Sequence, residues 1–200
     1  TNWETLEPYF KNLFDRDIST KEKLEQWLKD QSELEAVVNE DACWRQIKMT
    51  CDTENKSLEE AFNFFFMEIQ PKIQPFSDAL NKKLIHSPLL HELDAEKYFT
   101  YLRSIRKSIE LFREENIALQ AESAVLQQQF GQISGAMVIS VNGEEYTIQQ
   151  AGKFLESHDR KLREDVYKQI QERRLKDKVK LDELYDKLIK LRDQEAQNAG

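Results

Sequence analysis

The sequence predicts a mainly α-helical fold, an antiparallel multi-helix array with one small β-hairpin near residues 137–148. Five Gly and four Pro occur in 200 residues, which is too few for the many turns of a β-sandwich. Apolar residues make up 40% of the chain and charged residues 33%, a mixture typical of amphipathic helices with charged outer faces. Apolar positions recur at spacings of three and four along most of the chain, which indicates helices.

Ser-x-x-Glu pairs mark the predicted helix starts in the first part of the chain. In such a capping box the hydroxyl and the carboxylate each accept a hydrogen bond from a free backbone N–H group. The pairs are Ser19 with Glu22, Ser32 with Glu35, and Ser57 with Glu60. The apolar series that follow them are Leu24, Trp27 and Leu28; Val37, Trp44, Ile47 and Cys51; and Leu58, Phe62, Phe65 and Ile69. A short helix with Trp3, Leu6, Phe10 and Leu13 precedes them, and Pro71 and Pro75 should kink or interrupt the last one.

The second part of the chain contains more helices and the hairpin. One helix carries Tyr98, Leu102, Ile105, Ile109 and Phe112, and another runs from about 115 to 133 and stops near Gly135. The hairpin turns at Asn142-Gly143, the usual pair for a type I′ turn. Thr147 and Gln150 form a further capping box before a short helix over 149–156, and two long helices follow. We therefore divide the chain into an N-terminal helical region, 1–134, and a hairpin with two long helices, 135–200.

Charge and composition exclude several classes of function. The net charge of −8 argues against nucleic acid, because binding to phosphates depends mainly on Lys and Arg. A basic cluster over 173–180 is diluted by acidic neighbours, and it is interpreted as a charged connection between helices. The uncharged stretch 123–143 contains several Gln and Gly, so we expect no membrane span. Cys43 and Cys51 would lie about 12 Å apart along one helix, which favours reduced thiols packed in the core of a cytoplasmic protein.

The sequence contains no complete catalytic or metal-binding motif. His91-Glu92 begins like H-E-x-x-H, but Ala95 stands where the second metal ligand is required. His86 and His91 are therefore expected to be solvated loop residues. The consecutive pairs Glu114-Glu115 and Glu144-Glu145 are expected to be exposed, because neighbours in sequence do not face one another.

Phe62 and Phe64-Phe65-Phe66 cover more than one helix face, and this favours burial between two layers over an exposed ligand site.

Several strings, taken in order along the chain, resemble the oligoendopeptidase F family of zinc peptidases, relatives of thimet oligopeptidase. One of them is Asp159-Arg160-Lys161-Leu162-Arg163-Glu164 followed by Tyr167, similar to the family's D-R-x-x-R-E-x-x-Y stretch. The others are Met49-Thr50-Cys51-Asp52-Thr53, Phe112-Arg113-Glu114-Glu115-Asn116-Ile117, Ser134-Gly135-Ala136-Met137 with Asn142-Gly143, and Leu184-Tyr185 through Asn198-Ala199-Gly200. The specificity of the resemblance lies in the order and spacing of the strings together.

The resemblance implies a helical clamshell around a channel in which zinc hydrolyses short peptides. In that family H-E-x-x-H and a downstream Glu hold the metal, and none of these residues occurs here. We therefore expect an N-terminal, channel-wall portion of such an enzyme, inactive alone, whose partners are short peptides and the catalytic remainder of its own polypeptide. No catalytic or metal residue is assigned, and the substrate-binding residues are unknown. The alternative is a non-catalytic helical module that binds a partner protein through its Phe-rich or Leu-rich faces.

Overall fold

The computed structural model describes residues 2–200, and it is mainly α-helical with one two-stranded antiparallel sheet, as predicted. The helices of the first part are α1 (Trp3–Asp15), α2 (Lys21–Cys51), α3 (Lys56–Phe64), α4 (Gln70–Ile85) and α5 (Ala95–Leu111). The second part contains α6 (Asn116–Gly135), β1 (Val138–Val141), β2 (Glu144–Thr147), α7 (Ile148–Ala151), α8 (Arg160–Lys176) and α9 (Lys178–Ala199). A π-helical turn, 65–69, joins α3 to α4, and 3₁₀ turns lie at 90–92 and 152–156. None of the helices within 2–200 has the length and the continuous apolar composition that crossing a bilayer requires.

The main hydrophobic core lies between α1, α2, the π turn, α4 and the start of α5. Its largest fully buried side chains are Phe10, Trp27 and Phe65. The rings of Trp3 and Phe10 stack with centroids 6.0 Å apart, and Phe76 of α4 packs against both rings. The aromatic residues thus fasten α1 to α4, which is far from it in sequence.

The end of α1 is held by two other helices. Trp27 Nε1 of α2 donates a hydrogen bond of 2.8 Å to the carbonyl oxygen of Leu13. Lys83 Nζ of α4 donates to the carbonyl oxygens of Leu13, Phe14 and Arg16 at 3.3, 2.5 and 2.7 Å. The last turn of a helix leaves its carbonyl groups without partners inside the helix, so Trp27 and Lys83 satisfy them from outside. We call Leu13 with Trp27 and Lys83 the α1 junction.

The predicted helix starts are correct in region but wrong in residue. The N-cap of α2 is Thr20, whose side chain accepts from the backbone N–H of Lys23, and the N-cap of α3 is Asn55. The Ser32–Glu35 start is wrong, because α2 is one helix of 31 residues and Ser32 lies in its interior. The hydroxyl-carboxylate spacing also fits two neighbouring turns of a continuous helix, and it therefore does not by itself mark a start. The capping box of Thr147 and Gln150 is confirmed.

The apolar series predicted to form the buried face of a separate helix after Ser32 is largely exposed. Val37, Trp44 and Ile47 are 59%, 51% and 47% exposed, and we call these three residues the α2 row. Cys43 and Cys51 are also exposed, so their predicted burial in the core is wrong. The apolar periodicity correctly groups the row on one face of α2. Among the described residues, however, no element covers that face.

The Phe-rich run is split by the π turn. Phe62 and Phe65 are buried and Phe66 is half-buried, whereas Phe64 is 46% exposed, so the prediction of burial between two layers is wrong for Phe64. The predicted irregularity is confirmed near Pro71, just after the π turn, whereas Pro75 lies within α4 and does not interrupt it. Proline has no N–H to donate to the carbonyl four residues earlier, and for Pro71 that carbonyl belongs to Met67 within the π turn.

The hairpin forms where it was predicted, with Val138 opposite Thr147 and Val141 opposite Glu144. Asn142 and Gly143 both have positive φ, 55° and 87°, as a type I′ turn requires. The hairpin forms a small core of its own with α7 and α8, built from Ile139, Val141, Ala151, Val166 and Ile170. A third cluster joins α6 to α9 through Leu126, Leu184 and Leu188. Because α6 thus packs on both parts of the chain, the boundary at 134/135 stays a prediction.

Candidate functional site

The histidines lie apart and in contact with solvent. His86 ends α4, His91 lies in the 3₁₀ turn at 90–92, and His158 precedes α8, and all three are exposed. The expectation of solvated loop histidines is therefore confirmed for His86 and His91. Within residues 2–200, no three His, Cys, Asp or Glu side chains come close enough together to hold a metal ion.

The two acidic pairs are exposed, as predicted. Glu144 accepts a hydrogen bond of 2.5 Å from the hydroxyl of Tyr146, and this bond raises the pKa of Tyr146. Burial raises the pKa of Tyr101 to about 12, with a smaller effect of the Glu35 charge. Tyr101 is therefore protonated at neutral pH.

The basic cluster over 173–180 lies at the junction of α8 and α9, as predicted. Arg173 forms an ion pair with Asp177, and Lys178 forms one with Asp182. The Arg173 hydrogen bond lowers the pKa of Asp177. The cluster is thus largely neutralised by acidic residues within one helical turn.

An extended concave feature lies between the helical segment α3–π turn–α4 on one side and α6 on the other. The end of α2 and the middle of α9 also line one end of it, and the end of α5 lines the other. This cleft consists of three neighbouring cavities of about 640, 160 and 430 Å³. Phe66 and Ala124 line both the first and the second cavity, and Gln70, Gln74 and Gln120 line both the second and the third. From Ile117 to Gly131 the cleft follows α6 for about 21 Å at 1.5 Å per residue.

The wide end of the cleft is aromatic. Phe62 and Phe66 form one wall, and their ring centroids lie 4.4 Å apart. Phe130 of α6 and Tyr185 of α9 also line this cavity and are more than half exposed. Arg192 of α9 also lines this end, so a cationic side chain lies beside the aromatic walls.

Carboxamide side chains follow the cleft along its whole length. They belong to Gln46, Gln70, Gln74, Gln120, Gln127 and Gln128, and we call the feature the glutamine cleft. Gln74 Nε2 donates to Gln120 Oε1 at 3.0 Å and so bridges α4 and α6 across it. A carboxamide has two donor hydrogens and an acceptor oxygen, so these residues can pair with groups of either kind.

Three residues of the cleft carry buried polar atoms that lack hydrogen-bond partners, and one of these atoms is Oε1 of Gln74. Gln128 is 4% exposed, and neither its Nε2 nor its Oε1 is bonded to another described residue. Asp78, which is 8% exposed, forms an ion pair with Lys82 through Oδ2, whereas its Oδ1 has no partner in the described part of the chain. Leaving such atoms unbonded lowers the stability of the fold, and the three residues are spread from one end of the cleft to the other.

The C-terminal end of α9 is fixed to the start of α6 and to the residue Arg113 before it by side-chain hydrogen bonds to main-chain and side-chain oxygen atoms. Asn116 Nδ2 donates to the carbonyl oxygen of Glu195, and Arg113 Nη2 donates to that of Ala199, both at 3.0 Å. Asn198 Nδ2 donates to Asn116 Oδ1 at 2.7 Å. These bonds hold α9 against α6, so that Tyr185 and Arg192 stay at the wide end of the cleft.

Sequence reasoning missed the glutamine cleft. Its walls are about 50 residues apart in sequence, and Gln on a helix face usually indicates a solvated surface. The available signal was the uncharged, Gln-rich character of α6, which was interpreted as evidence against a membrane span.

The chain is similar to a described protein family and to solved structures. A family model described as "Peptidase M3 N-terminal domain" matches residues 1–112. The structure is similar to that of a putative oligoendopeptidase F from Bacillus anthracis str. Ames, with a TM-score of 0.92, 23% identity and coverage of 100% of this chain and 37% of that one. A second structure titled as a putative oligoendopeptidase F gives a TM-score of 0.92 at 22% identity, again over 100% of this chain and 36% of that one. A structure titled PZ peptidase A with inhibitor 2 gives 0.91 at 22% identity over 100% and 36%.

No curated protein matches the sequence significantly. The chain thus spans about a third of the length of the solved structures that share its fold.

Proposed function

Because the chain belongs to the peptidase M3 N-terminal domain family, we propose that it is the N-terminal, channel-wall portion of a zinc metallo-oligopeptidase that hydrolyses short peptides. The observation that carries the proposal is the family match over residues 1–112. The whole-chain similarity to oligoendopeptidase F structures supports it, since this chain covers about a third of their length. In the proposal the remaining polypeptide supplies the catalytic site, and this chain confines an extended peptide beside it. We place the enzyme in the cytoplasm.

The zinc ion of the proposed enzyme does not fit the residues of this chain. A catalytic zinc site needs three protein ligands, and residues 2–200 bring no such set together. We therefore assign no step of hydrolysis to this chain, and zinc is attributed to the remainder of the polypeptide.

The test of this function is peptide hydrolysis by the longest natural product that contains this chain. We expect zinc-dependent cleavage of a quenched fluorescent peptide, lost on addition of a chelator and restored by Zn²⁺. If the longer protein shows no cleavage and holds no metal, the peptidase proposal is disproved.

A second candidate function, a non-catalytic helical interaction module, is supported by the α2 row. Val37, Trp44 and Ile47 form an apolar face that no described element covers, and such faces are typical of protein contacts. In the peptidase proposal the remainder of the polypeptide packs on this row, whereas in the module a separate protein does. The coding sequence after Gly200 discriminates between them, because an in-frame H-E-x-x-H favours the peptidase and a stop codon favours the module.

The α2 row should make the isolated chain associate with itself. We expect sedimentation velocity to show concentration-dependent association of the chain. The double substitution Trp44→Ser with Ile47→Ser should abolish this association, because it removes two of the three apolar side chains of the α2 row. The free energy of unfolding should change by no more than about 0.5 kcal/mol, as is usual for surface positions. Tyr167→Ser on α8 is the matched control, since Tyr167 is 56% exposed but lies far from α2 in sequence. A wild-type chain that stays monomeric at all concentrations would contradict a docking role for the row.

A further inference from the structure

We propose that the glutamine cleft binds an extended peptide segment through its backbone, with one apolar side chain inserted between Phe62, Phe66 and Phe130. The inference rests on the proposed function, because that function supplies the peptide. The chemistry by which the peptide is recognised is argued from the residues of the cleft. It assigns a peptide-binding role to residues of this chain, for which the sequence alone indicated none.

The length and the width of the cleft fit a peptide in an extended conformation. A run of about 21 Å along α6 accommodates about six residues at 3.3–3.6 Å per residue. The cavity at the aromatic end, about 640 Å³, lies within the usual range for a site that takes up a small ligand or a side chain. The cavity next to it, about 160 Å³, leaves room for backbone and small side chains.

The chemistry of the walls fits the peptide group. Each peptide group offers one N–H donor and one C=O acceptor, and each Gln carboxamide offers the complementary pair. Gln side chains on the walls of the cleft can therefore bind backbone groups of an extended peptide without selecting side chains. Gln74 and Gln120 would exchange their hydrogen bond to each other for bonds to the peptide. Aromatic rings at one end add a preference for a single apolar residue.

Gln128 is the residue that most directly indicates a ligand. A buried carboxamide with neither atom bonded lowers the stability of the fold. Because neither atom is bonded, turning the amide toward the cavity that it lines breaks no hydrogen bond. One residue of an extended peptide would supply both missing partners, because its own C=O and N–H belong to neighbouring peptide groups and point to the same side of the chain. The C=O accepts from Nε2, and the N–H donates to Oε1.

The π turn is a second, independent indication. It contains Phe65 and Phe66, and Phe66 lines both the aromatic cavity and its neighbour. A π turn inside a helix is rare and frequently lies at a functional site. Here it belongs to the helical segment that forms one wall of the cleft.

Titration of the ¹⁵N-labelled 200-residue chain with blocked hexapeptides tests the proposal. The probes are two acetylated, amidated hexapeptides with a central Phe and different polar residues elsewhere. We expect saturable binding of both with similar affinity, together with a shift of the Gln128 side-chain NH₂ resonances. N-methylation of the Phe amide should weaken binding about tenfold, because it removes one backbone donor. Absence of saturable binding, or equal affinity of the N-methylated peptide, would overturn the proposal.

The variant Gln128→Leu tests the residue itself against Gln129→Leu, the same change at the next, exposed position of α6. We expect Gln128→Leu to weaken peptide binding about tenfold and to raise the melting temperature, since it removes an unpaired buried amide. Gln129→Leu should leave affinity unchanged. Wild-type affinity in Gln128→Leu, or a lowered melting temperature, would contradict a peptide-binding role of Gln128. If this variant does not fold, the affinity of the wild-type chain for the N-methylated peptide tests the cleft instead.

These experiments test peptide binding by the glutamine cleft independently of the proposed peptidase activity. Hydrolysis by the longer natural product without hexapeptide binding here would refute the cleft alone. Hexapeptide binding without hydrolysis by the longer product would refute the peptidase proposal and leave the cleft as a peptide-binding site.

Discussion

Replacing Trp27 with Ala is expected to lower the free energy of unfolding by about 4 kcal/mol, the largest effect of any single substitution considered. Trp27 is fully buried in the main core, and its Nε1 also bonds the Leu13 carbonyl at 2.8 Å. The alanine variant therefore loses the apolar contacts of the ring, leaves a cavity, and leaves a carbonyl of the α1 junction with one donor fewer. Urea unfolding followed by far-UV circular dichroism measures the change.

Trp44→Ala is the matched control for this measurement, because Trp44 lies on the same helix but is 51% exposed. It should change the free energy of unfolding by no more than about 0.5 kcal/mol. The more conservative Trp27→Phe keeps most of the ring volume and loses the hydrogen bond, so a smaller loss than that of Trp27→Ala is expected. Equal effects of Trp27→Ala and Trp44→Ala would contradict the core assignment.

Replacing Lys83 with Met should lower the free energy of unfolding by about 2 kcal/mol, since hydrogen bonds to a charged group contribute about 1.5–3 kcal/mol. Its ammonium group donates to three carbonyl oxygens at the C-terminal end of α1, where a positive charge is also favoured by the helix dipole. Desolvation lowers the pKa of Lys83, so part of this gain is offset by burial of the charge. Met keeps the aliphatic stem and removes the donors.

Lys72→Met on the same helix α4 is the control for Lys83, because Lys72 is exposed. Hydrogen exchange gives a second readout. Loss of Lys83 should speed exchange at the last turn of α1 more than in the middle of α2, because the α1 junction is opened locally. Uniform acceleration across the helices, or a loss no larger than that of Lys72→Met, would contradict the capping role.

Local signals in the sequence correctly predicted the elements that depend on neighbouring residues. Asn142-Gly143 specifies its turn because the required positive φ values suit few other residue pairs. Thr147 and Gln150 specify a capping box within four residues. Leu24 and Trp27 were correctly grouped in one apolar series, since the helical period alone places them on one face.

The features that sequence reasoning missed depend on contacts between distant residues. Lys83 reaches carbonyls about 70 residues earlier, and no local pattern specifies such a contact. The apolar period placed the α2 row on one face but did not reveal whether anything covers it. The glutamine cleft requires α3, α4 and α6 to lie together, and the polar residues that line it resemble those of a solvated helix face.

The most direct test of the central claim is a peptide-cleavage assay of the isolated 200-residue chain in the presence of added Zn²⁺. We predict no turnover of any short peptide and no tightly held zinc by elemental analysis, while the same preparation still binds the hexapeptides. Turnover, or stoichiometric zinc that survives dialysis, would contradict the account, because it would place a reactive centre within residues to which none has been assigned.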